Sequence, residues 1–529
     1  SYDSPIGYRK LKEVFLPPFQ KAVEAGCATV MAGYHSVDGT PASANPLILK
    51  DILRGELGFE GFVVTDWDNV GSLIVNQHVS ADMEEASRMA VEAGNDMIMN
   101  TPDFYEAAVK QVRGGRVPVS LVDDAVRHIL RVKFAMGLFE TAGEKKAAPR
   151  DEIFACPAHL DTGLRLTRES IVLLENKNDV LPMDDSVKKI AVIGPNADDI
   201  RAQYGDWTYF THPHPDKDAV PKGPYRTMLE GIRDAAERHG AQAGYHRGCD
   251  VMDGADAEIE AAAALAAASD VIVAVVGDCL EQNGEVKDRA DLDLSGAQQA
   301  LLEALKETGK PLVVVLVNGR PLSIPWIKEN ADAVLETFNG GMLGGQAVGE
   351  ILFGETNPSG KLSISFPYHA GQLPVYYNQL PGWHGVRYMD MPAEPLYSFG
   401  YGLSYSRYEY GNLTLSEKTL GPDDELAVSV DVTNVSGPDG WETVQLYVND
   451  PVSSVVTPEK QLKGFEKVYI PAGETKRVSI SLPVGALALA DRNGQYRVEP
   501  GKFIIMAGPD SRDASLLKDS IVVSPPHGA

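Results

Sequence analysis

The chain reads as a multidomain α/β protein that ends in a β-sandwich, and three observations predict this. Residues 1–140 alternate short apolar strand signals with amphipathic helical ones, the pattern of parallel strands joined by helices. From about Glu169 onward, near-continuous apolar runs recur, as they do in a sheet covered on both faces. Beyond about residue 396 the pattern becomes strict alternation, broken by turn residues at short intervals, which fits two packed antiparallel sheets. A length of 529 residues allows two to four such domains.

In the first region the expected strands are Thr29–Gly33, Phe62–Thr65 and Asp96–Met99, with helical patterns at Ala81–Ala93 and Leu121–Phe134. A closed (β/α)8-type barrel needs about 250 residues. Three strands in 140 residues therefore predict only part of one, its C-terminal part. A polar, charged stretch at Thr141–Arg150 opens a linker assigned to 141–168. An α/β sandwich domain is expected over 169–395, with strands Ile171–Leu174, Ile190–Ile193, Val271–Val276, Leu312–Val317 and Ala333–Glu336. The alanine-rich Ala255–Ala268 reads as one solvent-flanked helix. The β-sandwich is assigned to 396–529, on runs such as Leu426–Val432 and Val444–Val448.

Bulk composition excludes several classes. Acidic residues number 74 against 48 basic ones, a net charge of −26, so nucleic acid and anionic membrane surfaces are not expected partners. No apolar run approaches the ~18 residues of a membrane span. Four cysteines, Cys27, Cys156, Cys249 and Cys279, lack metal-ligand spacing and read as free thiols, mostly buried. No His/Cys ligand cluster is visible, so neither a metal nor an organic cofactor is expected. The chain opens on Ser1-Tyr2-Asp3, without Met or a signal segment, and its start is expected to lie upstream. The expected location is bacterial, cytoplasmic or secreted.

Chemistry enters at Gly61-Phe62-Val63-Val64-Thr65-Asp66-Trp67. A β-branched apolar run ends on a carboxylate and an indole, the form of a barrel strand whose last residue emerges at the catalytic rim. An indole offers a flat platform to a pyranose, and a carboxylate can attack or stabilise an oxocarbenium-like carbon. The plain alternative is a capping Asp after a core strand. Sugar hydrolysis of the usual kind needs a second carboxyl group. The loop Gly277–Arg289, after the apolar run Val271–Val276, offers Asp278, Glu281, Glu285 and Asp288. Such loops, at the carboxyl ends of strands, are where open α/β sheets place ligands. A solvated acidic loop is the alternative.

The motifs carry a resemblance. Gly58–Trp67 is similar to the nucleophile motif of glycoside hydrolase family 3, the β-glucosidase family, and Leu16–Phe19 and Tyr34–Pro41 are similar to its upstream segments. Thr65 replaces a usual Ser, Leu57 a common Trp and His35 a common Asn. Asp288–Leu294 with Gln298 resembles the family's Arg-containing motif, with Ser295 where Pro is usual. Asn357–Leu362 and Leu396–Tyr405 resemble later segments, and the C-terminal region resembles the family's fibronectin type III-like domain.

The resemblance implies a retaining β-D-glycosidase that removes terminal β-D-glucose from β-glucosides or cello-oligosaccharides. Asp66 would be the nucleophile. Glu285, four residues before Arg289 and after Gly284, would be the acid/base, with Glu281 and Asp278 as runners-up. Tyr34 and Met31 would line the first sugar subsite and Trp67 its border. This division of labour needs an ionised Asp66 and a protonated Glu285, ~5–5.5 Å apart when substrate is bound. The family's other sugar-clamping residues come from the first five β/α units, which have no counterpart here. A second polypeptide or subunit completing the barrel is therefore expected beside the oligosaccharide or aryl glucoside substrate. The alternatives are a β-xylosidase of the same family, or a non-catalytic sugar-binding fragment. The aromatic stretch Trp383–Tyr405 is expected either near the active-site side of the sandwich domain or as glue to the last domain.

Overall fold

The computed structural model describes residues 3–140, 149–208, 220–221, 223–254, 257–382 and 388–525. The chain falls into two compact units, Ser1–Ala148 with Ala488–Arg497, and Pro149–Leu487 with Val498–Ala529.

The first unit is built on two parallel strands, Thr29–Ala32 and Phe62–Thr65, in register Thr29↔Phe62 to Ala32↔Thr65. The third expected strand is reduced to one bridge, Val64↔Met97. Backbone bonds persist there, with Met97 N donating to Val63 O and Thr65 N to Met97 O, both at 3.0 Å, and side chains add to them. The Asp96 carboxylate accepts from Val63 N (2.7 Å) and Arg54 Nη2 (2.6 Å), and Thr65 Oγ1 accepts from Met99 N (2.8 Å). The two helical patterns form as Met83–Ala93 and Val119–Ala135.

The two faces of this small sheet differ. Val63, Val30 and Ala32 pack with Leu49, Leu53, Phe59 and Ala93. On the other face Met31 is 55% and Met97 46% exposed. That face corresponds to the inner layer of side chains in a barrel of this kind. The helix Val119–Ala135 is similarly uncovered, with Val119, Val126 and Phe134 exposed and Val132 its one buried residue among those described.

The second unit centres on a six-stranded sheet. Its spatial order is Val172–Asn176, Ala333–Glu336, Leu312–Val317, Val271–Gly277, Lys189–Ile193 and Gln242–His246. All pairs are parallel except Val172–Asn176 against Ala333–Glu336. Helices 157–170, 228–238 and 344–352 cover one face, burying Leu164, Ile232 and Ile351. Helices 259–267, 298–307 and 325–330 cover the other, burying Ala262, Leu301 and Ile327. The sixth strand, Gln242–His246, is missed by sequence reading because an edge strand of Gln-Ala-Gly-Tyr-His carries no apolar run. The helix Ile259–Ala267 replaces the alanine-rich stretch, burying only Ala262 and Ala266.

Two boundaries move. Residues 157–168, assigned to the linker, form the helix Pro157–Ser170, whose Leu164 joins the core. Residues 396–405, assigned to the β-sandwich, belong to the α/β sheet. Tyr397 is bridged to Phe366 and Leu403 to Leu173, and Leu396 and Tyr397 are buried in the core. The β-sandwich proper begins at Arg407. It packs a three-stranded sheet against a five-stranded one around Val430, Val444, Leu446 and Phe503.

Cys249 is the only buried cysteine; Cys156 and Cys279 are half-buried and Cys27 is exposed. Cys27 follows the turn at Gly26, and its Sγ donates to Thr29 O at 3.0 Å. Among the described residues no helix is long and apolar enough to cross a membrane.

Candidate active site

Asp66 stands one residue past the strand Phe62–Thr65. Its N–H continues the ladder by donating to Ala32 O at 3.1 Å, which fixes the backbone at the rim. The chain then turns sharply, with Asp68 at φ 49°. The Trp67 N–H donates to Asp66 Oδ1 at 2.6 Å, so one carboxylate oxygen is oriented by the turn itself. Tyr34 Oη donates to Trp67 O at 2.5 Å. Beneath them Asn69, fully buried, donates Nδ2 to Ala32 O and Gly33 O. Met31, opposite Val64 in the register, lies on the open face. The first unit thus brings Met31, Tyr34, Asp66 and Trp67 into one neighbourhood. Asp66 is half-buried and Trp67 62% exposed, so a carboxylate and an indole face are both within reach of solvent-borne sugar.

In the second unit the strand Val271–Gly277 is buried throughout and runs into the acidic loop. The three candidate carboxylates there meet different fates. Asp278 is 2% exposed, and its Oδ1 accepts from Arg289 Nη1 at 2.6 Å. Burial pushes its carboxyl above the usual range while Arg289 and Arg320 pull it back. It is a scaffold group, and Arg289 uses its other donors on Asp293 O and Ser295 Oγ. Glu281 is exposed beside the Cys279 thiol, which burial and that carboxylate push up to about 12. Glu285 is exposed at the loop tip, and its Oε2 accepts from Trp207 Nε1 at 3.0 Å.

Trp207 is the residue that sequence reading missed. It is 64% exposed, with φ 61°. The signal was present: Gly205-Asp206-Trp207 repeats the Asp-Trp pair of Asp66-Trp67. It went unread because no apolar strand leads directly into it. Next to it, Asp206 Oδ2 lies 3.2 Å from Lys287 Nζ, joining the two loops.

The aromatic stretch resolves in part. Trp383 and Arg387 lie outside the described residues. Tyr397 Oη donates to Glu175, Tyr401 Oη to Leu174 O and Tyr405 Oη to Ile351 O. Phe399 stacks on Tyr377 at 4.3 Å, and Tyr377 Oη accepts from Leu462 N of the β-sandwich. Residues 396–405 are therefore the glue between sheet and sandwich.

Comparison with known proteins identifies the domains. Residues 3–132 match the glycosyl hydrolase family 3 N terminal domain, 171–405 the glycosyl hydrolase family 3 C-terminal domain and 442–511 the fibronectin type III-like domain. The chain is 38% identical to a beta-xylosidase of Formosa agariphila, over 98% of this chain and 73% of that protein. It is 37% identical to a periplasmic beta-glucosidase of Salmonella typhimurium, over 95% and 69%. Among solved structures it is similar to a β-glucosidase involved in saponin metabolism from intestinal bacteria, with TM-score 0.94 and 38% identity, over 99% of this chain and 75% of that one. It is also similar to the Listeria innocua β-glucosidase in complex with isofagomine, with TM-score 0.91 and 32% identity, over 99% and 72%.

Proposed function

The chain belongs to glycosyl hydrolase family 3 and is a glycoside hydrolase; on that premise we propose that Asp66 and Glu285 are its two catalytic carboxyl groups. The observation that carries this reading is the contrast among the carboxylates: Asp66 and Glu285 stand at accessible, oriented positions, while Asp278 is locked in a buried ion pair.

Asp66 attacks the anomeric carbon, and its bond to that carbon replaces the glycosidic bond. Glu285 donates its proton to the departing oxygen. In the second step Glu285 takes a proton from water, the water oxygen attacks the anomeric carbon, and Asp66 leaves as the carboxylate. The Trp67 N–H on Asp66 Oδ1 leaves Oδ2 as the attacking oxygen. Trp67 and Trp207 supply flat apolar faces for sugar or aryl rings, and Tyr34, with Met31, lines the sugar subsite.

The substrate is a terminal β-D-glucoside, with β-xyloside second; names of both kinds occur among the relatives. The two sugars differ only at the C6 hydroxymethyl. The open apolar face around Met31 and Met97 supports a further polypeptide segment or subunit covering it in the working enzyme. The same open face favours the second reading, that the 57.1 kDa chain alone binds sugar without turning it over. A panel of 4-nitrophenyl glycosides, run on protein of confirmed intact mass, tests both. Hydrolysis ranked glucoside over xyloside supports the proposal, whereas a preference for the N-acetylglucosaminide overturns the substrate reading.

A further inference from the structure

One ammonium group ties the loop that presents Glu285 both to itself and to a second loop. Lys287 Nζ donates to Leu280 O at 2.6 Å and Asn283 O at 3.4 Å, both within the loop, and to Asp206 Oδ2 at 3.2 Å in the loop that carries Trp207. Side-chain exposure is 24% for Lys287 and 4% for Asp206, so this pair is sheltered, unlike a surface ion pair of little consequence. The two loops also meet where no side chain fits: a Cβ on Gly284, at φ +137°, would lie 2.2 Å from Asp206 Oδ2. From the other side Arg320 Nη2 donates to Gln282 O at 2.7 Å and Lys287 O at 3.1 Å.

The residues held between these ties are strained. Val286 is β-branched at φ 57° and 93% exposed, and Trp207 sits at φ 61°. A β-branched residue in the left-handed region persists only where its surroundings over-determine it. Val286 has no packing of its own to do this, so the restraint comes from its neighbours, Gly284 and Lys287. The residue that both neighbours flank, along with Val286, is Glu285. Its Oε2 is set by the Trp207 indole, and Trp207 is the residue after Asp206.

We infer that Lys287 and Asp206 are positioning residues for acid/base catalysis, a sheltered ion pair that sets where Glu285 delivers its proton. The inference rests on the assignment of Glu285 above. Proton donation requires hydrogen-bond reach to the leaving oxygen, and a misplacement of ~1 Å can cost about 10²-fold. The loss falls only on leaving groups that need the proton. An alkoxide needs it, whereas a dinitrophenolate leaves without it.

The test compares kcat/KM for an alkyl β-glucoside and for 2,4-dinitrophenyl β-glucoside in the complete enzyme carrying Lys287→Met, Asp206→Asn, Glu285→Ala or the Glu285→Ala/Lys287→Met pair. Lys287→Met is expected to lower the alkyl value by about 10- to 100-fold and the dinitrophenyl value by less than about 3-fold. In the Glu285→Ala background it should add almost nothing. Equal losses on the two substrates, or none, overturn the inference while leaving Glu285 in place. If Glu285→Ala itself shows no dependence on leaving group, the assignment of Glu285 fails first. Should Lys287→Met not fold, Asp206→Asn, which removes only a charge from the same pair, gives the same ratio to read.

Discussion

The same dipeptide occurs at the heart of each unit. Asp66-Trp67 and Asp206-Trp207 share a local bond, in which the tryptophan N–H donates to Oδ1 of the preceding aspartate, at 2.6 Å and 3.0 Å. Both indoles are exposed, 62% and 64%. The carboxylates part ways at the other oxygen. Asp66 ends a parallel strand at a rim, while Asp206 Oδ2 is buried on Lys287 with a side chain 4% exposed. A reactive carboxylate must keep one oxygen for substrate, whereas Asp206 spends both. Sequence alone does not separate the two; the environment supplied by strand or lysine does.

The comparison breaks most readily at the nucleophile. Asp66→Asn is expected to lower turnover by about 10⁴-fold or more, as removal of a covalent nucleophile does, while Asp206→Asn stays within about 10²-fold. Steady-state rates on an aryl glucoside give both numbers. Comparable losses would erase the distinction between reactive and scaffold carboxylate.

The next largest effect belongs to the loop tip. Glu285→Ala should cost about 10²- to 10⁴-fold on substrates with poor leaving groups. Azide should restore part of the rate with an activated aryl glucoside by taking the place vacated beside the anomeric carbon. Rescue in Glu281→Ala instead would move the acid/base role four residues upstream.

What was legible follows from which signals are local. The strand before Asp66, the buried strands of the α/β sheet and the alternation of the β-sandwich are all written in contiguous residues, and they fold as expected. The edge strand Gln242–His246 was not legible, because an edge needs no apolar run. The third strand, at Asp96–Met99, shrinks to the single bridge Val64↔Met97 although its backbone bonds to Val63 and Thr65 persist, a distinction of ladder length that the apolar pattern does not carry. The boundary at 396 was misplaced for a related reason. Aromatic rings mark burial but not the surface they bury against: Tyr397 and Tyr401 bond to the sheet through their hydroxyls, while Arg512 of the sandwich covers the Tyr401 ring. In the site, Asp66 and Glu285 rest on motifs, whereas Trp207 and Lys287 acquire their roles from a meeting of two loops about 80 residues apart.

A third carboxylate sharpens the comparison by pH. Glu336, at the end of its strand, is fully buried, with Oε1 accepting from Phe338 N at 2.7 Å and Oε2 from Asn318 Nδ2 at 3.2 Å. Burial pushes it up to about 8, with the Asp278 charge adding and the two hydrogen bonds opposing. In the unfolded chain it titrates near the ordinary glutamate value of 4.5. Between these values the folded state holds a proton that the unfolded state has released. Its contribution to stability is therefore full below the lower value and is lost as pH rises through the upper one. Thermal midpoints should fall from about pH 5 to about pH 9 in the wild type and fall less in Glu336→Gln. An unchanged slope would mean that Glu336 is ionised in the fold and belongs with Asp206 as a charged scaffold group.

The smallest effect tests the two indoles against each other. Trp207→Phe keeps an apolar ring but removes the N–H that Glu285 Oε2 accepts, so one neutral donor to a carboxylate is lost at an exposed site, worth about 1 kcal/mol. The expected result is a fall of about 3- to 5-fold in kcat on an alkyl glucoside, with KM nearly unchanged. Trp67→Phe keeps both of the backbone bonds that matter locally, its N–H on Asp66 and its carbonyl under Tyr34. It changes only the size of the ring offered to the sugar, so it should raise KM by a similar factor and leave kcat in place. If both substitutions act on KM alone, Trp207 is a platform like Trp67 and its bond to Glu285 carries no catalytic weight. If Trp207→Phe lowers kcat and does so less in the Lys287→Met background, the indole and the ammonium act on Glu285 as one device.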